Sequence, residues 1–164
     1  MYRDALDFLE EERDAWAPYE ALAALSDAQL AAPTDPDGPG HGWSGRDLMG
    51  HLVAWQERLL AMARELAVND ASPTRDQVEA AWAADPDGVN SASLAEWHAL
   101  PLDEVRRRFQ TVPGELRGYL TVVPETRWLK NPQRLATFLG DSTEHYQEHG
   151  AELAEILARA QDQA

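Results

Sequence analysis

Ser44-Gly-Arg-Asp-Leu-Met-Gly-His51-Leu-Val-Ala-Trp55-Gln-Glu-Arg-Leu59-Leu-Ala-Met62-Ala-Arg-Glu-Leu66 reads as one amphipathic helix. Leu48, Leu52, Trp55, Leu59, Met62 and Leu66 recur at spacings of three and four, so they fall on one stripe of a 3.6-residue helix. Ser44 supplies an N-cap, since its side-chain oxygen can accept from a first-turn N–H. His51 lies on the apolar side, one turn before Trp55.

The same period governs both flanks. Upstream, a stripe of Leu6, Leu9, Trp16, Tyr19, Leu22 and Leu25 predicts a helix from about Tyr2 to Leu25, kinked at Pro18. Ser26-Asp-Ala-Gln29 has the form of a capping box, and Pro33 to Gly40 is a loop by composition. Downstream, Ser72-Pro73 and Asp85-Pro-Asp-Gly88 divide residues 69–100 into short helical pieces around Trp82 and Trp97, a crossover rather than a core helix. A third long helix is expected from Pro101 to about Val122, interrupted at Pro113-Gly114. Asn131-Pro132 opens the last, which runs to about Ala160 and divides near Gly140. No segment alternates with the period of a strand. Four long helices with one long, helix-containing crossover predict an all-α four-helix bundle, a single domain over residues 1–164.

The last helix carries His145-Tyr-Gln-Glu-His149. Two imidazoles four residues apart stand one turn above each other, with Cβ atoms roughly 5–6 Å apart, within reach of one metal ion. They continue the stripe of Leu135, Phe138, Leu139, Leu153, Ile156 and Leu157, so both rings are expected to face inward. If the second and last helices are neighbours, His51 joins them. Three neutral imidazoles leave a fourth position open, the ligand count of a catalytic metal site. The chain has no cysteine, which excludes thiolate zinc sites, iron–sulfur clusters and a Cys nucleophile.

Trp43-Ser44-x-x-Asp47-Leu48-x-x-His51-Leu52-x-x-Trp55, followed about ninety residues later by Glu144-His145-Tyr146-x-Glu148-His149, resembles the DinB/YfiT-like four-helix-bundle superfamily, and within it the ClbS/DfsB branch. The resemblance implies a bundle that binds a divalent ion, often zinc or nickel, through His51, His145 and His149. It further implies a stress-response setting and, for some members, a low-molecular-weight thiol such as mycothiol or bacillithiol as cosubstrate. On this basis the chain is expected to be a divalent-metal-dependent transferase or hydrolase acting on a small electrophilic or stress-derived molecule. The alternative is a non-catalytic protein that binds a small ligand or a metal. Neither a catalytic residue nor a thiol-contacting residue is assigned.

Other readings of the same residues compete. The histidines can satisfy one another and nearby carbonyls in a metal-free core. His-Tyr-Gln-Glu-His also fits the inverted zinc-protease pattern H-x-x-E-H, although the short acidic chain offers no evident peptide cleft. Asp47 and Asp141 each precede a candidate ligand by four residues and can accept its ring N–H, or Asp47 can serve only the helix N-terminus. Glu148 reads as a solvent-facing acid, His98 as structural and His41 as an exposed loop residue.

A formal net charge of −15 argues against a nucleic-acid partner, which needs basic patches that release counterions. Arg106-Arg107-Arg108 is the one basic run and reads as a solvated face. Met1-Tyr-Arg-Asp-Ala-Leu-Asp-Phe-Leu-Glu-Glu-Glu carries acids where a signal peptide would be apolar, so a cytoplasmic protein without a membrane partner is expected. The expected partner is a small-molecule substrate, and six tryptophans leave rings to spare for a ligand pocket or a homodimer contact.

Overall fold

A computed structural model describes residues 2–162, and among them every regular element is helical. Helix α1 spans Ala5–Trp16 with Asp4 as its N-cap. It does not run on to Leu25 as expected. Pro18, placed at the start of the following segment, leaves the chain in a 3-10 run, Ala17–Ala24, that still buries Tyr19 and Leu22. Leu6 departs from the expected stripe and is 69% exposed. Ser26 and Gln29 close the anticipated capping box over a single turn, α2, Asp27–Ala31.

Helix α3, Gly45–Val68, is the axis of the fold. Ser44 accepts from the Asp47 N–H, and the Asp47 carboxylate accepts from Ser44 N at 2.8 Å and from its hydroxyl at 2.6 Å, a reciprocal cap that sets the helix phase. All six residues of the sequence stripe are buried, and so are Met49, Val53, Leu60 and Ala63. A helix buried on more than one face has neighbours on several sides. α6, Leu102–Leu120, packs along it through Val105, Phe109, Val112, Leu116 and Leu120. Pro113 does not interrupt α6. The ring removes one N–H donor, but burial of the flanking stripe outweighs one missing bond.

The crossover forms two helices, α4, Pro73–Ala84, and α5, Pro86–Ala99, capped by Ser72 and Asp85. α4 buries none of its residues. Its start is pinned by Glu65 on α3, which accepts from Ser72 Oγ at 2.6 Å and Thr74 Oγ1 at 2.7 Å. α5 is tied more firmly. Trp97 is 3% exposed, and the Arg46 guanidinium donates to the carbonyls of His98 at 3.0 Å and Leu100 at 2.6 Å at its C-terminal end. The α3–α5 approach depends on Gly50, where a Cβ would lie 2.9 Å from Trp97 Cβ. Gly50→Ala should gain roughly 1 kcal/mol of helix propensity but lose more through overpacking, for a net destabilisation of about 1–2 kcal/mol. A urea midpoint equal to or above that of the unaltered chain would show that α5 yields without strain.

The C-terminal segment is divided where Gly140 stands, in an unexpected way. α7, Pro132–Leu139, passes into a π turn, Gly140–Glu144, then α8, His145–Glu148, and α9, Gly150–Asp162. A π turn carries an extra residue, so it resets the phase of everything after it relative to α7. No described helix is long and apolar enough to cross a membrane.

Candidate metal centre

His51 comes from the inner face of α3, whose capping box fixes its rotation, while His145 and His149 bracket α8 directly after the π turn. Tyr146, the first of the three residues between them, is held from three sides. Its hydroxyl donates to Glu12 Oε1 at 2.9 Å and accepts from Gln56 Nε2 at 2.8 Å, and its carbonyl accepts from the Tyr19 hydroxyl. Glu12, 1% exposed, also pairs with Arg117. Four segments of the fold thus anchor the turn that presents both C-terminal histidines.

The three Nε2 atoms converge. His51 Nε2 is 2.9 Å from His145 Nε2, and His149 Nε2 is 3.1 Å from the same atom. All three candidate ligand atoms lie within 4.8 Å of one another. An ion held tetrahedrally at about 2.0–2.1 Å by each nitrogen would space them roughly 3.3 Å apart, a few tenths from the two contacts that His145 makes. Mutual hydrogen bonds suit the cluster less well. His145 Nε2 offers one lone pair or one proton, so as a hydrogen-bonding atom it cannot serve both neighbours as a metal ion would. The donor set therefore fits a metal ion, and the group could hold one. Two indoles shelter it. Trp43 stacks on His149 with centroids 5.3 Å apart, and Trp55 meets His145 edge-on at 5.9 Å.

Burial pushes the His51 imidazole down to about 3, with His149 and Arg58 adding repulsion. The same causes, with burial first and His51 and His149 next, push His145 to about 2. Both rings are neutral in the fold at pH values where the unfolded chain's are protonated, as coordination requires. Below 6.5 the unfolded state binds more protons, so stability falls as pH drops toward 3, by up to about 1.4 kcal/mol per group per pH unit. Asp141 acts in the opposite sense. Burial raises its carboxyl to about 7 against the pull of Arg58, so between about 7 and 3.8 the fold holds a proton the unfolded chain lacks. Chelator-treated protein should lose thermal stability from pH 6.5 to 4.5, and Asp141→Asn should lose it more steeply. Parallel profiles for the two proteins would contradict the placement of Asp141.

The histidines form one wall of a cavity of about 460 Å³, whose lining includes Trp43, Trp55, Trp82, Asp141 and Glu148. Asp141 stands in this wall without bonding a histidine ring. Asp47 does not support His51 either. Its second oxygen pairs with His98 Nε2, so His98, read as structural, clamps α5 to the start of α3. His41 is exposed, as expected, in the left-handed region at φ 51°. Glu148 is exposed at the cavity rim. The carboxylate nearest a ligand ring is one the sequence reading passed over. Glu152, 8% exposed, places Oε1 3.4 Å from His149 Nδ1, within ion-pair range though outside hydrogen-bond geometry. The signal was its position one turn after His149, obscured by acids at 144 and 148.

No family model, curated protein or solved structure matches this chain.

Proposed function

We propose that this chain is a divalent-metal-dependent enzyme of the DinB-like type, a thiol-dependent transferase or a hydrolase acting on a small electrophilic molecule. The observation that carries the reading is the convergence of three imidazole rings on the wall of a cavity of small-molecule size. In this reading α1, α3, α6 and the α7–α9 segment are the four members of a DinB-type bundle. His51, His145 and His149 would hold the ion, with zinc and nickel both suited to imidazole ligands. A divalent ion there supplies Lewis-acid stabilisation of developing negative charge.

The protein's own groups do the rest. Burial keeps His51 and His145 unprotonated, Trp43 and Trp55 pack against the imidazole wall, and Asp141 offers a carboxyl that exchanges a proton near neutral pH. The runner-up is a non-catalytic small-ligand or metal-binding protein, favoured by the same aromatic wall. Turnover separates the two. Untagged protein assayed against a panel of thiol–electrophile pairs and hydrolysable small molecules should show activity that vanishes with chelator and returns with zinc or nickel. Activity that survives complete metal removal would retire the metal-dependent reading, and ligand binding without turnover across the panel would favour the binder.

A further inference from the structure

The cavity beside the histidines carries recognition groups that metal binding leaves unused. Its apolar wall is made by Trp43, Trp55, Trp82, Met62 and Val78. Apart from the histidines, the ionisable side chains in the lining are all acids: Glu79 on α4, Asp141 in the π turn and Glu148 on α8. Asn90 Oδ1 is buried there without a donor, and among the described residues Asp141 is shifted by burial and by charges, with no hydrogen bond contributing. Trp55 is 6% exposed, and its indole N–H also lacks a partner. Two cations stand beside this wall outside the lining: Arg75, which pairs with Glu79 at 2.5 Å, and Arg58, whose guanidinium lies 4.2 Å from the Trp55 ring centroid, where it faces Asp141 and Glu96.

We propose that this cavity binds a small molecule made of a flat apolar body and a protonated amine, with the body among Trp43, Trp55 and Trp82 and the ammonium N–H groups on Asp141 and Asn90. An ammonium brings donors to two acceptors that have none, and it pairs a carboxylate that burial otherwise penalises. Indole faces attract cations, as the Arg58–Trp55 stack already illustrates. An anionic ligand meets the carboxyl groups of Asp141 and Glu148, with Glu79 already paired to Arg75, and the net charge of −15 draws cations toward the protein and repels anions. The volume, about 460 Å³, suits a ring with a short arm. The proposal rests on this cavity being the ligand site of the function proposed above, but not on a metal being present.

Three near-isosteric probes test it: 2-phenylethylamine, 2-phenylethanol and 3-phenylpropionate, titrated by tryptophan fluorescence and calorimetry. The full-length chain is used as purified and after chelator treatment, with metal content measured on both samples. In the chelator-treated chain the amine should bind roughly tenfold more tightly than the alcohol, with the propionate weakest. Asp141→Asn should bring the amine to within about threefold of the alcohol while leaving the alcohol unchanged, because only the charged partner is lost. Equal affinities for the three probes, no amine binding up to about 10 mM, or an amine preference untouched by Asp141→Asn would each overturn the proposal. The probe comparison on the unaltered chain decides the matter even if the variant fails to fold. A lost amine preference with metal content intact sinks this proposal alone, whereas an intact preference in a chain that binds no metal sinks only the metal reading.

Discussion

His149→Ala, purified without a histidine tag, should emerge with little metal, whereas His98→Ala should hold as much as the unaltered chain. Each of the three converging nitrogens supplies a third of the protein's ligand set. Loss of supporting contacts to a ligand typically lowers metal affinity 10–100-fold, so deleting a ligand itself should lower it by more than about 100-fold. His98 is equally a histidine but spends its ring on Asp47, on the far side of the α3 cap. Elemental analysis of both variants, beside a zinc competition titration, reads the difference. Equal occupancy would mean that the convergence is a packing arrangement.

Arg117→Leu should be the most damaging single change outside that centre. It strands Glu12, 1% exposed, in a network whose other members are the Tyr146 hydroxyl and Gln56. Removing one partner of a buried pair costs about 3–5 kcal/mol because the remaining charge is left uncompensated. For a chain of this length that corresponds to a fall in melting temperature of roughly 6–20 °C. The double variant Glu12→Leu/Arg117→Leu should recover much of the loss, since no buried charge remains. A single variant as stable as its parent would mean that water reaches Glu12 despite its burial.

What could be read from the residues was what repeats locally. The α3 stripe and Ser44 cap were legible because helix period and capping chemistry act within four residues, and His51, His145 and His149 were legible because they fall in register with such stripes. The misses have other causes. The Asp47–His98 pair joins positions 51 residues apart, and nothing local to either marks the other. Glu12 sits in an acidic run that looks like surface, and only its distant partners Arg117 and Tyr146 make its burial tolerable. Pro113 breaks helices by local rules, yet the packing of Phe109 and Leu116 on α3 overrides it. The π turn at Gly140–Glu144 has no signature beyond its glycine, although it determines which way Asp141 and His145 stand relative to α7.

α4 lines the cavity with Val78, Glu79 and Trp82 while burying none of its own side chains. Lifting it away exposes little apolar surface, so the free energy of that local opening is far below that of unfolding α3. Trp82 rides on that helix, so the same element that can open also carries one ring of the wall. The indole rings and the π turn govern how tightly an occupant is held. What holds α4 in place is Glu65 at its start, Arg75 on Thr137 and the Trp82 ring against Trp55, contacts that involve none of the histidines.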